Sequence, residues 1–105
     1  MLEAIKTMFG FGPKVDFAEV LNKGAIILDV RTVGEFKGGH VKGSINIPLN
    51  ELSSQMSKLK KTTPIIACCA SGMRSSSATS LLKSNGFDEV YNGGSWIGLK
   101  HLVKN

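Results

Sequence analysis

The hydrophobic positions of this chain fall into short continuous runs that alternate with segments of helical spacing. The apolar runs at residues 25–30 and 64–68 predict strands that are buried on both faces. A last short strand is predicted at residues 89–91, and Val15 is expected to begin an edge strand. Because strands and helices alternate, the pattern predicts a parallel sheet with helices on both faces.

Helices are predicted where apolar residues recur every three or four positions. Asp16 is placed to cap a first helix, which Gly24 ends. Helical spacing returns at residues 51–59, at 75–85 and from Trp96 to Val103. In the last of these segments, Trp96 is expected to be part of the core or of a pocket wall.

Residues 1–12 carry apolar side chains at roughly helical spacing, which Gly10, Gly12 and Pro13 interrupt. We expect a helical extension there and a single domain over residues 13–105. The extension either folds back on the domain or contacts a membrane surface or another protein. It lacks the apolar core of a secretory signal, and the sequence has no run long enough for a membrane span.

The composition is that of one domain that folds without metal or disulfides: 42% of the 105 residues are hydrophobic and 20% are charged. The net charge of +5 favours anionic partners, but the basic residues are scattered, so no nucleic acid partner is expected. A disulfide between the adjacent Cys68 and Cys69 would be strained. We therefore expect two reduced thiols, and with them a cytoplasmic monomer.

Candidate chemistry is concentrated where the strand at 64–68 ends. Cys69 and Arg74 flank four residues, and the predicted loop consists of Cys69, Ala70, Ser71, Gly72, Met73, Arg74 and Ser75. The N–H groups of this loop, and of a helix starting in the serines at 75–77, would converge on the Cys69 sulfur. A thiol in such a place ionises more readily than a free one, whose pKa is about 8.5. Cys69 is therefore the candidate nucleophile.

Two stretches of the sequence resemble one known family. The C-x4-R loop is one residue shorter than the C-x5-R loop of phosphatases, whose larger ring fits a tetrahedral phosphate. The six-residue loop that starts at Cys69 resembles that of rhodanese domains, a sulfurtransferase family. The segments Asp29-Val30-Arg31, Glu35-Phe36 and residues 39–48 are similar to a second family pattern. The resemblance covers about residues 15–103.

This resemblance implies a three-layer α/β/α fold with a five-stranded parallel sheet. It also implies that Cys69 takes a sulfane sulfur from thiosulfate or a persulfide, becomes a persulfide itself and passes the sulfur to a thiophilic acceptor. That acceptor is cyanide in vitro or a cellular thiol. The expected partners are therefore a small anionic donor and a thiol acceptor, with a sulfur-relay protein as a further option, and no cofactor or metal is expected. The alternative is a non-catalytic sulfur carrier or binding module that acts with a partner protein.

Asp29, Arg31 and Glu35 are expected to support the site rather than to react. Arg31 and Glu35 are four residues apart and could pair across a helix turn, and Asp29 could accept loop N–H groups. Arg74 either anchors the loop through Asp29 or Glu35 or steers an anionic donor. Ala70 stands where thiosulfate-preferring members of the family often carry a basic residue, which favours a persulfide donor.

Three further residues are interpreted as structural. Strand alternation directs Cys68 away from Cys69, which predicts a buried, inert thiol rather than a resolving partner. His40 lies in a glycine-containing turn, where a hydrogen-bonded structural histidine is expected rather than a general base. His101 is expected to be solvated.

Overall fold

A computed structural model describes residues 15–103, and these residues form an open parallel sheet flanked by helices. The strands are β1 (Ile26–Asp29), β2 (Ile45–Asn46), β3 (Ile65–Cys69) and β4 (Val90–Ser95), and their spatial order is β2-β1-β3-β4. All three pairings are parallel. The α/β class predicted from the alternating pattern is confirmed.

Short helices connect the strands. The α-helices are α1 (Phe17–Asn22), α2 (Val33–Lys37), α3 (Leu52–Gln55) and α4 (Met73–Ser84). Stretches of 3-10 helix span Leu49–Glu51, Met56–Lys58 and Trp96–Leu102. Asp16 caps α1 as predicted, since its carboxylate accepts the N–H of Glu19 at 3.2 Å. No helix within residues 15–103 is long and apolar enough to cross a membrane.

The described residues form four strands rather than the five that the resemblance implied. Val15, which was expected to begin an edge strand, lies outside any strand. The physical reason is its neighbour: Asp16 already has the extended geometry of an N-cap, and the first turn of α1 follows at once. The helical extension predicted at residues 1–12 lies outside the described residues, and the predicted domain boundary at residue 13 stays a prediction.

The sheet separates two hydrophobic clusters, and β3 contributes to both. Ile65, Ala67 and Cys69 pack on the side of α4, while Ile66 and Cys68 pack on the side of α1. This is the alternation expected of a strand covered on both faces. The two adjacent cysteines therefore lie on opposite sides of the sheet, as strand alternation predicted.

β4 is longer than the sequence pattern predicted. The Asn-Gly-Gly run was expected to end a strand at residue 91, yet pairing with β3 continues to Ser95. The register shifts there, because Ala67 pairs with Asn92 and Cys68 with Gly94. Gly93 is the extra residue of this bulge, and a Cβ on it would lie 2.7 Å from Cγ2 of Ile66. The bulge thus depends on glycine.

Candidate functional site

The Cys69 sulfur lies at the carboxyl end of β3, a central strand of the sheet. It accepts the backbone N–H of Gly72 at 3.0 Å and that of Ser75 at 3.4 Å, and it contacts the Ser75 hydroxyl at 3.4 Å. Although Cys69 is fully buried, its sulfur is enclosed by polar hydrogens and not by hydrocarbon alone. The carboxyl ends of parallel strands are where open α/β sheets bind their ligands.

The same sulfur caps α4. The prediction that this helix starts in the serine run is wrong, because α4 begins at Met73 and its N-cap is Gly72. Gly72 has a φ of +105°, a left-handed conformation that favours glycine, and no side chain caps the helix by a hydrogen bond to oxygen or nitrogen. The serines are not needed as caps because the sulfur accepts two of the free N–H groups at the helix start.

These contacts change the acidity of the thiol. Burial acts to raise the pKa of Cys69, but hydrogen bonding by the Ser75 hydroxyl and by the N–H groups of Ser75, Gly72 and Ser71 outweighs it. The pKa of Cys69 therefore lies below that of an ordinary thiol. A thiolate at this position would be stabilised by the same N–H groups and by the positive end of the α4 dipole.

Of the predicted loop residues, Ser71, Gly72 and Ser75 offer N–H groups to the sulfur. Ala70, Ser71 and Met73 expose their side chains, and Met73 is 79% exposed. Ser75 is fully buried beneath the loop. The exposed rim of the site is thus small and largely uncharged.

Arg74 is held by Glu35. Its Nη1 and Nη2 donate to the two carboxylate oxygens of Glu35 at 2.7 Å and 3.0 Å, a two-pronged pair between α4 and α2. Arg74, followed by the N–H of Thr32, lowers the pKa of Glu35 to about 2. Of the two roles predicted for Arg74, this geometry shows the anchoring contact, and it selects Glu35 rather than Asp29.

Arg31 pairs with Asp29, so the predicted Arg31–Glu35 pair is wrong. The Nη2 of Arg31 donates to Asp29 at 2.7 Å and to the carbonyl of Gly39 at 2.7 Å, and the backbone N–H of Arg31 donates to Asp29 at 3.0 Å. The Arg31 guanidinium also lies 4.5 Å from the centre of the Trp96 ring. The Glu35 carboxylate is taken by Arg74 and the Thr32 capping box, so Arg31 reaches only the Glu35 backbone carbonyl, at 3.4 Å.

Asn92 is a site residue that the sequence analysis missed. Its Oδ1 accepts the Ser75 hydroxyl at 2.6 Å and the Gly94 N–H at 3.0 Å, and its Nδ2 donates to the Gly72 carbonyl at 3.2 Å. The signal was present in the Asn-Gly-Gly run, whose turn-like composition marks a bulge in β4. One amide thus connects β4 to both ends of the first turn of α4.

The remaining candidates take structural positions. His40 is exposed, its Nδ1 lies 2.7 Å from the Phe36 carbonyl, and its ring stacks on Phe36 at 3.7 Å. Burial raises the pKa of Cys68 to about 12. His101 is exposed, as expected. The described part of the chain contains no group of three or more His, Cys, Asp and Glu residues placed to hold a metal ion.

A pocket of about 280 Å³ lies beside the active loop. It is lined by Val30, Thr32, Pro48, Leu49, Asn50 and Arg74. The backbone N–H of Val30 donates to the carbonyl of Cys68, which places this wall next to the end of β3. The volume is at the lower end of the range for small-molecule sites.

A family profile described as the Rhodanese-like domain matches residues 14–95. The chain belongs to the rhodanese-like domain family. The match includes the whole active loop and the segment from Asp29 to Glu35, which are the two stretches that carried the resemblance in sequence.

Named relatives of this rhodanese-like domain include two bacterial proteins. It is 35% identical to the thiosulfate sulfurtransferase GlpE of Stutzerimonas stutzeri, over 68% of this chain and 65% of that protein. It is 39% identical to the putative sulfur carrier protein YrkF of Bacillus subtilis, over 78% of this chain and 42% of that protein. The chain spans about half the length of YrkF and of a second B. subtilis relative, 42% and 54%. Together, the family and these names support a general role in sulfur transfer.

The fold is similar to that of solved rhodaneses. A rhodanese with anions from E. coli superposes with a TM-score of 0.66 at 29% identity, over 70% of this chain and 89% of that one. This likeness extends across most of the E. coli chain and agrees with the family match.

Proposed function

We propose that this protein is a sulfurtransferase whose nucleophile is Cys69. The proposal is carried by one observation: the Cys69 sulfur accepts two backbone N–H groups at the start of α4, at 3.0 Å and 3.4 Å. Such an arrangement stabilises negative charge on sulfur, which both a thiolate and a persulfide carry. The family membership agrees with this chemistry.

In the first half-reaction the Cys69 thiolate attacks the sulfane sulfur of a donor. A new S–S bond forms at Cys69, the bond between that sulfur and the rest of the donor breaks, and the leaving group departs with the electron pair. With thiosulfate the leaving group is sulfite, and with an organic persulfide it is a thiolate. No proton is taken from a carbon or oxygen of the donor, so no general base is required.

In the second half-reaction a thiophilic acceptor attacks the outer sulfur of the Cys69 persulfide. The S–S bond breaks and its electron pair returns to Cys69, which becomes a thiolate again. Loop N–H groups that stabilise the thiolate also make it a good leaving group, because they hold its charge. Cyanide would give thiocyanate, and a cellular thiol would give a new persulfide.

A persulfide donor fits this site better than thiosulfate. The exposed rim carries Ala70, Ser71 and Met73, and the one cation of the loop, Arg74, is paired with Glu35. Because that pairing balances its charge, little positive potential remains to attract a dianion. The pocket beside Arg74 leaves room for the organic part of a small persulfide.

The second candidate is a sulfur carrier that loads Cys69 but turns over only with a partner protein. The relative YrkF, named as a putative sulfur carrier, favours it. The full burial of Cys69 agrees with slow reaction in the absence of a partner. In both candidates Cys69 carries the sulfur, and they differ in whether the acceptor reacts unaided.

The test is to incubate the protein with thiosulfate or glutathione persulfide and to weigh it intact. We expect the mass to rise by one sulfur atom in the wild type and in Cys68→Ala, and not in Cys69→Ala. The two variants remove the same atoms from adjacent positions of β3, so each controls for the other. Loading that survives in Cys69→Ala would contradict the proposal.

Turnover separates the two candidates. Thiocyanate formation from cyanide over many cycles, without any other protein, supports the transferase. A single loaded sulfur with negligible turnover supports the carrier.

A further inference from the structure

Cys69, Ser75 and Asn92 form a continuous chain of polar contacts that runs from the buried sulfur to the exposed residue Asn92. The Ser75 hydroxyl lies 2.6 Å from Oδ1 of Asn92 and 3.4 Å from the Cys69 sulfur. Ser75 and Cys69 are both fully buried, so the polar atoms between them depend on one another for hydrogen bonds.

Two backbone groups determine which way the Asn92 amide points. Gly94 offers an N–H, which can only donate, and it lies 3.0 Å from Oδ1. Gly72 offers a carbonyl, which can only accept, and it lies 3.2 Å from Nδ2. With the amide oriented by these fixed partners, its Oδ1 faces the Ser75 hydroxyl as an acceptor. Ser75 therefore donates its proton to Asn92.

A hydroxyl has a single proton to donate. While Ser75 donates to Asn92, it meets the Cys69 sulfur only as an acceptor, and the S–H of a neutral thiol satisfies it. A thiolate or persulfide has no proton to offer there and needs a donor instead. The Ser75 hydroxyl lowers the pKa of Cys69 by donating to the charged sulfur, and it can do so only by turning away from Asn92.

We infer that Asn92 is a positioning residue which competes with the Cys69 sulfur for the Ser75 proton and thereby sets how readily Cys69 ionises. Asn92 favours the neutral thiol by holding the proton, and it holds the loop through the Gly72 carbonyl. The inference rests on the proposed role of Cys69, since the sulfur that ionises is the one that reacts.

The charged groups around Cys69 are the same in the wild type and in Asn92→Ala. On α4 the interacting charge is Arg74, which Glu35 of α2 balances. On β1 the nearest charged residue in sequence is Asp29, which is paired with Arg31. Cys68, the neighbouring titratable group, lies on the other side of the sheet. A change that follows substitution of Asn92 is therefore not due to these groups.

The experiment measures the apparent pKa of Cys69 from the pH dependence of its alkylation by iodoacetamide, with the modified residue assigned by mass spectrometry. We expect Asn92→Ala to lower this pKa by about one unit, because the proton of Ser75 is released to the sulfur. We expect Asn92→Asp to raise it by about one unit or more, since a carboxylate holds the proton more firmly and adds negative charge. If Asn92→Ala does not fold, Asn92→Ser tests the same direction.

A lower pKa in Asn92→Ala is the result that separates proton competition from loop bracing, because the charge added in Asn92→Asp raises the pKa in either case. If Asn92 only braced the loop, both variants would weaken the N–H contacts and raise the pKa together, and that result would overturn the inference. In a Ser75→Ala background the lowering by Asn92→Ala should disappear, whereas a persistent lowering would also overturn it. Asn22→Ala and Asn22→Asp change an exposed amide at the end of α1, before the amino end of β1, and should leave the pKa unchanged.

This measurement needs no sulfur donor. If Cys69 fails to load sulfur but its pKa shifts as expected, the proposed function fails and the role of Asn92 stands. If Cys69 loads sulfur and the two variants shift its pKa in the same direction, the role of Asn92 fails and the function stands.

Discussion

Cys68 and Cys69 are the same side chain at adjacent positions of one buried strand, yet their surroundings differ. Cys68 packs among apolar residues on the side of α1, and burial raises its pKa to about 12. Cys69 is just as inaccessible, but it caps α4 and its pKa is lowered. Burial alone therefore does not make a thiol inert. The N–H groups that surround the sulfur decide its reactivity.

The largest expected effect is selective alkylation of Cys69. Burial raises the pKa of Cys68 to about 12, whereas hydrogen bonds lower that of Cys69, so at pH 8 the thiolate fraction of Cys69 should far exceed that of Cys68. We expect iodoacetamide to modify Cys69 and to leave Cys68 intact, as read by peptide mass spectrometry. In denaturant both should react. Comparable labelling of the two cysteines in the folded protein would break the comparison.

Gly72→Ala tests whether the backbone N–H groups around the Cys69 sulfur account for the difference between Cys69 and Cys68. Its φ of +105° is strained for alanine, at a cost of about 1–3 kcal/mol, and relief of that strain would move the N–H that contacts Cys69. We expect sulfur transfer to fall by about 100-fold, the scale for loss of one such donor. The matched control is Gly43→Ala, which has a φ of +83° and lies at the opposite edge of the sheet. Gly43→Ala should lower the free energy of unfolding without a comparable loss of sulfur transfer.

A smaller effect is expected from Glu35→Gln, which frees the charge of Arg74 near Cys69. The positive charge should lower the pKa of Cys69 further and improve the use of thiosulfate relative to glutathione persulfide by a few-fold. The measurement is the ratio of loading rates with the two donors. Glu89→Gln, which breaks the Lys23 pair at the other edge of the sheet, should leave that ratio unchanged. A ratio unchanged in Glu35→Gln would mean that Arg74 does not influence the donor.

The smallest effect concerns acid stability. The pKa of Glu35 is lowered from 4.5 to about 2 in the folded protein. Between these pH values the folded protein therefore binds fewer protons at Glu35 than the unfolded chain does. The stabilisation is therefore present above pH 4.5 and is lost as the pH falls through about 2. Urea midpoints measured between pH 2 and 6 should fall more steeply in the wild type than in Glu35→Gln. Because the pair is partly exposed, the difference should be small.

Features that depend on neighbouring residues were predictable. Alternation along β3 placed Cys68 and Cys69 on opposite faces, and the spacing of Cys69 and Arg74 indicated a small ring of N–H groups. The cap of α1 at Asp16 was also predictable, since a capping contact spans three residues. In each case the physical cause acts within one or two turns of the chain.

Features that depend on contacts between residues far apart in the sequence could not be predicted from it. The sequence left Asp29 and Glu35 as alternative anchors for Arg74, and it suggested Glu35 as a partner for Arg31. The observed Arg74–Glu35 contact joins residues 39 positions apart, and the choice follows from how α2 and α4 meet. The start of α4 was misplaced for a similar reason, because an acceptor from the preceding strand replaced the serine caps.

By itself, the sequence determined the layered α/β architecture and the family and indicated the candidate nucleophile, because these follow from periodicity and from a motif contiguous in the chain. The tertiary structure alone decided how that residue is tuned. Asn92 meets Ser75 from 17 positions away, and it does so only because a bulge in β4 directs its amide toward the active loop. Hydrogen bonds between residues far apart in the chain depend on distance and direction in space, and neither is encoded in the local pattern of the sequence.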